Sequence, residues 1–417
     1  MMDREHPNIV LCTCDQMRAF EVGCYGNAYV HTPNIDALAD QGTRFDLAVT
    51  NNPVCTPARS CMLSGEYSRT ATGMLGNVHR NPPMPTRERL PDPTLPEMLR
   101  AADYRTALIG KWHIDPQPQL LGLDTALYPM VAHRHRGQTY FNERAESFRV
   151  DRFGPHWELE QVKEFLAGQR DAAQPFFLMY NISPPHQPIG PGHLPDEYTR
   201  MYDPDDVPLR INALDRMETE RDRWWYSVYA SAHFFWRDRR RQKQDPRDIV
   251  PDTFHLRDLV ALYHGACTFV DDLFGALMSA LETNGFGRNT VVLFTSDHGD
   301  NLGSHGMFNK RRLDRGVHPY SVHRQRSPAR ECREREPGGG PDRRHAHASR
   351  PGRLRSARER PGSEPRAVAR WETNGIGAER GIRRNQRDDR DSHAEPSVRS
   401  ALQRRSARAA ERPRLVL

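Results

Sequence analysis

Val54-Cys55-Thr56-Pro57-Ala58-Arg59-Ser60, continuing through Cys61 and Met62 to Leu63-Ser64-Gly65, joins a thiol, a fixed cation and a helix start in one short stretch. Pro57 suits the first turn of a helix and Gly65 suits its end. Cys55 is therefore expected at a helix N-terminus, where unpaired backbone N–H groups and the helix dipole favour a bound anion. Arg59 adds a planar fork of donors matched to a tetrahedral oxyanion. On these residues alone, a buried cysteine ahead of an ordinary capped helix is an equal reading.

Four other places carry ionisable groups directly after an apolar run. Asp15 and Gln16 follow Asn8–Thr13, Lys111 and His113 follow Arg105–Ile109, His186 follows Pro175–Tyr180, and Asp297 and His298 follow Thr290–Thr295. Each alone reads as a solvated loop residue or a satisfied histidine. Their shared position matters more, because ligands of open α/β sheets bind outside the carboxyl ends of the strands. If the runs are parallel strands, these groups converge on one rim with Cys55 and Arg59. Asp15 and Asp297, with the Gln16 carbonyl, offer hard oxygen ligands suited to Ca²⁺ or Mg²⁺. A His298 nitrogen makes the same site friendlier to Mn²⁺.

The elements that must position these groups alternate. A helix over Thr32–Gly42 has Thr32 as its cap and Gly42 as its stop. Thr43–Thr50 reads as extended, and further helices are expected near Leu95–Ala102 and Glu158–Leu166. A long helix from about Leu256 to Leu281 places Leu259, Leu262, Ala266, Phe269, Leu273 and Leu277 on one stripe. Strands alternating with helices predict an α/β fold: a mixed, mostly parallel central sheet with helices on both faces. Cys12 and Cys14 alternate within an apolar strand without further ligands at metal-site spacing, and read as core rather than zinc ligands. Residues 190–251 break the pattern. Trp224-Trp225-Tyr226, Tyr229 and Phe234-Phe235-Trp236 read as a lid or substrate wall, or as a helical insertion whose aromatics simply pack.

Five segments together resemble the type I, formylglycine-dependent sulfatases of the alkaline phosphatase superfamily. In the family's order they are Thr32-Pro33-Asn34-Ile35-Asp36, the Cys55 segment, Gly110-Lys111-Trp112-His113, Pro185-His186-Gln187-Pro188 and Phe294-Thr295-Ser296-Asp297-His298-Gly299-Asp300. The resemblance covers most of residues 8–310. It implies that Cys55 is oxidised to formylglycine (3-oxoalanine) by a formylglycine-generating enzyme. Asp15, Gln16, Asp297, His298 and the modified Cys55 would hold one divalent cation, calcium first, with magnesium or manganese as alternatives. Lys111, His113, His186 and Lys310 would line the sulfate pocket, Arg59 would steady the modified side chain, and Asn77 is a weaker candidate. Gln16 and His298, where many relatives carry aspartate and asparagine, look like the branch holding phosphonate monoester hydrolases and bacterial sulfatases.

The implied reaction is hydrolysis of a sulfate ester on a small molecule or glycan. An aldehyde hydrate at position 55 supplies the nucleophile, activated by the cation. Lys111 and Lys310 neutralise the sulfuryl oxygens, His186 is assigned as acid and His113 as base. A phosphonate monoester or phosphodiester hydrolase with the same groups is the alternative.

Composition divides the chain. The net charge is +6 over 417 residues, yet after Lys310 there is no lysine, and 28 arginines face 14 acids. That surplus leaves the rest of the chain net acidic. This Arg-, Pro-, Gly-, Ser- and Ala-rich segment shows no apolar periodicity long enough for a core element. One reading is a disordered basic arm for nucleic acid, with the chain as a binding protein or inactive remnant. The favoured reading is a change of reading frame after Lys310, which yields arginine-rich, lysine-poor sequence and leaves the C-terminal subdomain missing. The expected organisation is thus a catalytic domain over 1–310 and an aberrant tail over 311–417. No apolar run approaches membrane-spanning length, and Met1–His6 lacks an apolar signal region. The seven cysteines are scattered and odd in number, so a reducing, cytoplasmic setting is expected.

Overall fold

The computed structural model describes residues 6–78, 87–130, 133–213, 220–235, 245–251, 253–310 and 321–325. The strands among them are β1 (Asn8–Asp15), β2 (Thr43–Phe45), β3 (Arg105–Gly110), β4 (Thr125–Pro129), β5 (Arg136–Phe141), β6 (Ser147–Phe153), β7 (Phe176–Pro185), β8 (Thr290–Ser296) and β9 (Ser321–Gln325). They form one nine-stranded sheet in the order β2-β9-β8-β1-β7-β3-β4-β5-β6. The centre, β8-β1-β7-β3-β4, is parallel. Both wings are antiparallel.

The main helices are α1 (Pro33–Gln41), α2 (Cys55–Ser64), α3 (Leu95–Ala101), α4 (Gly154–Ala167), α5 (Glu220–Phe235) and α6 (Leu256–Thr283). They divide between the two faces of the sheet because the central strands are apolar on both sides. Val10, Cys12 and Cys14 of β1 join Ile35 and Leu38 of α1, Val162 of α4 and the Leu259 to Leu277 stripe of α6 in one core. Leu11, between them, joins Leu63 of α2, Leu108, Trp112, Phe177 and Met179 in the core on the other face.

The expected alternation of elements is present, and α2 starts at Cys55 and ends with Gly65 in the left-handed region at φ 71°. Two sequence expectations need correction. Thr43–Thr50 contributes only the three residues of β2 to the sheet, with Leu47 and Val49 exposed. The segment after Lys310 was expected to hold no regular element, yet β9 pairs with β8 and β2 there. Strand pairing is built from backbone hydrogen bonds, so a short polar run such as Ser321–Gln325 can join the sheet between β2 and β8 without an apolar stripe. Residues 311–320 and 326–417, the remainder of the expected tail, are outside the described residues. In the 190–251 insertion, Tyr226 and Tyr229 are buried in the core; Tyr229 stacks on Phe308 and Tyr226 lies tilted against it. The Trp224, Trp225, Phe234, Phe235 and Trp236 side chains lie outside the described residues.

One glycine directly serves the rim. Gly110 has φ 98°, and a Cβ there would fall 2.2 Å from the Asn181 carbonyl oxygen. Its absence lets the end of β3 close on β7, where Lys111 N donates to Asn181 O at 3.0 Å.

Candidate active site

The parallel strands do bring their terminal groups together. Cys55 opens α2 with its side chain fully buried. Around its sulfur stand Lys310 Nζ at 2.7 Å, His298 Nε2 at 3.2 Å, Asp15 Oδ1 at 3.6 Å and Asn77 Nδ2 at 4.0 Å. Asn77 otherwise works on the backbone, its Oδ1 accepting from Thr56 N at 3.1 Å. Lys310 Nζ also lies 3.2 Å from His298 Nε2.

Asp297 is held on both oxygens. Oδ1 accepts from the backbone N–H of Gln16 at 3.1 Å and of His298 at 2.9 Å, while Oδ2 accepts from Arg59 Nε at 2.9 Å. Arg59 thus spends Nε on a carboxylate, while its buried Nη2 has no hydrogen-bond partner. Its reach across the site follows from its place one turn along α2 from Cys55, facing β8. Gln16 adopts φ 68°, and its Nε2 is taken by Gln187 Oε1 and Asp300 Oδ2.

On the opposite side, Lys111 Nζ donates to Asp15 Oδ2. His113 turns its Nε2 onto Val78 O at 2.9 Å, while its backbone oxygen accepts from Thr56 Oγ1 at 2.7 Å. His186 Nδ1 donates to Gln187 O at 2.8 Å, which aims Nε2 away from its own loop.

Three residues outside the predicted set belong here. His133 stacks on His186 with ring centroids 3.6 Å apart and planes 7° apart, and its Nε2 is 3.5 Å from Lys111 Nζ. The signal was the same one used elsewhere, a histidine just past the end of parallel strand β4, but β4 is too short to stand out by periodicity. Asp300, part of a recognised motif but given no role, accepts through Oδ1 from Leu302 N at 2.7 Å and Asn309 N at 3.1 Å. It thereby shapes the loop that delivers Lys310. Tyr229 of α5 donates to Asp300 Oδ2 at 2.5 Å, so the insertion reaches the site through this tyrosine.

The charges explain the protonation states. Burial opposes ionisation of the Cys55 thiol, but Lys111, Lys310 and His298 outweigh it and hold the thiol well below its usual value. Burial and the Cys55 thiolate likewise push Asp15 up, and Lys111, His186 and Lys310 together bring it below the usual carboxylate range. Burial lowers His113, His133 and His186, so these rings are neutral at pH 7.

The donor set fits a divalent cation. One ligand atom each from Asp15, Cys55, Asp297 and His298 lie within 4.8 Å of one another, all buried. The buried Gln16 Oε1 has no hydrogen-bond partner, as expected of a carbonyl reserved for a ligand. His298 Nδ1 pairs with Gly299 O at 2.9 Å, which leaves Nε2 facing the cluster.

With this geometry in place, the comparisons with known proteins are direct. Residues 7–350 match the sulfatase family, and the chain belongs to it. An ulvan-active sulfatase of Formosa agariphila is 27% identical over 72% of this chain and 51% of its own length. An arylsulfatase of Clostridium perfringens is 26% identical over 73% of this chain and 65% of its own. A solved structure bound to D-glucosamine-2-N,6-O-disulfate superposes with a TM-score of 0.62 at 22% identity, covering 77% of this chain and 71% of that one. The chain spans between half and two thirds of the length of these two curated relatives.

Proposed function

We propose that the chain is a sulfuric ester hydrolase of the arylsulfatase type, acting on a sulfate monoester of a glycan or other small molecule. The observation that carries this reading is the group around the Cys55 sulfur, where an ammonium, an imidazole and a carboxylate approach one atom at a helix N-terminus. Cys55 in its thiol form stands where formylglycine would carry its oxygens, so a formylglycine-generating enzyme is the implied partner. Asp15, Gln16, Asp297, His298 and the modified residue would hold the cation, calcium by preference, which supplies acidity to the nucleophile and charge to the sulfuryl oxygens.

The chain's own residues have distinct tasks. Lys310 and Lys111 place two positive charges against the sulfuryl oxygens, where negative charge grows as the ester breaks. His186, with Nδ1 donating to Gln187 O, presents Nε2 to the leaving oxygen; protonated to the imidazolium once the anionic ester is bound beside it, the ring hands that oxygen the Nε2 proton and returns to the neutral form. His113, with Nε2 spent on Val78 O, keeps Nδ1 as an acceptor for a proton from residue 55. The names of the ulvan-active relative and of the glucosamine disulfate complex support a sulfated sugar as substrate. The scattered, odd-numbered cysteines support a reducing, cytoplasmic setting.

The test is peptide mass spectrometry after co-expression with a formylglycine-generating enzyme, followed by turnover of 4-nitrophenyl sulfate and of a phenylphosphonate monoester. Loss of about 18 Da at Cys55 with preferred sulfate turnover is expected, since the modified residue is the covalent nucleophile. Modification accompanied by faster phosphonate turnover assigns the chain to the other hydrolase class and overturns the reading.

A further inference from the structure

The stack of His133 on His186 has no place in the tasks just assigned, yet it touches two of the residues that carry them. His133 is 5% exposed and comes from the loop after β4, from which no other group was assigned to the site among the described residues. Its ring lies 3.6 Å from that of His186 and only 7° from parallel. Its Nε2 is 3.5 Å from Lys111 Nζ, and its Nδ1 is 3.9 Å from Asp15 Oδ2. Two imidazoles in face contact beside an ammonium cannot both carry charge, because like charges at this range in a buried site repel strongly. Facing the Lys111 ammonium, which can only donate, Nε2 is the acceptor, and the proton of the neutral ring sits on Nδ1, towards Asp15.

From this contact we infer that His133 is a positioning residue with two separable functions, building on the sulfatase reading above. Through Nε2 it takes one of the three Lys111 N–H donors, while Asp15 takes another. The third is thereby aimed at the sulfuryl group. Through its face it fixes the plane of the His186 ring, whose Nδ1 is already tied to Gln187 O. With one edge tethered and one face covered, Nε2 of His186 has a single direction, that of the leaving oxygen.

The two functions predict opposite losses in two variants. His133→Phe keeps a stacked ring and loses the acceptor. His133→Asn keeps an acceptor for Lys111 and loses the stacked face. In the formylglycine-bearing enzyme, His133→Phe is expected to weaken inorganic sulfate binding and raise KM about tenfold, the worth of one charge-assisted hydrogen bond, with kcat little changed. His133→Asn is expected to bind sulfate like the parent and to lose kcat selectively on esters with poor leaving groups. An alkyl sulfate should slow at least tenfold more than 4-nitrophenyl sulfate, because only the former needs its oxygen protonated in the transition state.

Sulfate binding is read by thermal shift as well as by inhibition, so the Lys111 function is measured even on protein that does not turn over. A parent enzyme, modified at Cys55, that binds sulfate but hydrolyses no sulfate ester would sink the sulfatase reading and with it the His186 function. Equal effects of the two variants on KM, kcat and melting temperature would overturn the inference, as would the absence of any effect.

Discussion

Asp15 and Glu158 are both buried carboxyl groups, 0% and 2% exposed, in the same sheet-and-helix body, and they solve burial in opposite ways. Asp15, on the rim of the parallel centre, lies among Lys111, His186 and Lys310 and is held below the usual carboxylate range despite burial. Glu158, on α4 against the antiparallel wing, has one hydrogen bond, from Tyr140 OH at 2.9 Å, and no partner for Oε2. Burial pushes it up to about 7. A carboxyl given cations stays ionised and can bind a metal. One given only a phenol holds its proton up to about neutral pH. Among the described residues, the buried Arg59 and Lys111 and the part-buried Lys310 stand around one rim, while the buried Arg18 pairs with Glu21.

Removing a cation from the rim should break this contrast most severely. Arg59→Met leaves Asp297 buried without its 2.9 Å partner, at a depth where Arg59 and Asp297 are 4% and 0% exposed. Loss of one member of a buried pair costs about 3–5 kcal/mol, so denaturant unfolding should show a fall of that order together with loss of turnover. Unchanged stability would mean that Asp297 is held by Gln16 N and His298 N alone. Lys310→Met is expected to reduce kcat/KM on 4-nitrophenyl sulfate by about 10²–10³-fold, comparable to removal of one preorganised stabiliser of a developing anion. Its effect on stability should be small by comparison, and an equal loss in both would make Lys310 a structural group.

Glu158→Gln addresses the other side of the comparison. A carboxyl whose folded-state value is raised from 4.5 to about 7 binds its proton more tightly in the folded state. Stability therefore falls as pH rises from about 4.5 to about 7, by about 3 kcal/mol in all, and is flat above that. The glutamine cannot ionise. The difference in unfolding free energy between variant and parent should therefore shift by about 3 kcal/mol in favour of the variant between pH 4 and pH 8. Taking the difference cancels groups common to both, including Glu21, which burial also raises to about 7. A constant difference across that range would mean that Glu158 is ionised in the folded state like its rim counterparts.

The rim was legible in the sequence because its parts obey one rule. Asp15, Lys111, His186 and Asp297 each follow an apolar strand, and a parallel sheet turns that common position in sequence into a common place. The helices behind it were legible from their caps and stripes, as with Thr32 to Gly42 and Leu256 onwards. The histidine side was not. His133 is placed by a five-residue strand, and its contact with His186 depends on two loops meeting, which no periodicity encodes. The partner chosen by Arg59 was also hidden, since spacing shows only that a guanidinium is near, not which of two anions it satisfies. A mixed sheet was expected, but β5 and β6 of its antiparallel wing were not legible, because Phe148, Val150 and Phe153 alternate only in part and no chemical motif marks them. β9 is carried by backbone pairing in an arginine-rich stretch, and side-chain pattern has nothing to say there.

The smallest expected effect is also the cleanest probe of how the wing keeps its carboxyl neutral. Tyr140 OH is the donor to Glu158 Oε1, and this bond favours the ionised form, opposing the larger effect of burial. Tyr140→Phe removes it. At pH 5, where folded Glu158 is protonated, the loss should be about 1 kcal/mol, that of a neutral hydrogen bond. At pH 8 the lost bond is to a carboxylate, which is worth more, so the penalty should grow with pH while the folded-state value of Glu158 moves further up. In a Glu158→Gln background, the amide oxygen still accepts from the phenol but cannot ionise, so the penalty of Tyr140→Phe should stay near 1 kcal/mol at both pH values. A pH-dependent penalty that survives in that background would place the titrating partner of Tyr140 elsewhere, and the wing would then hold a second ionisable group that its geometry does not show.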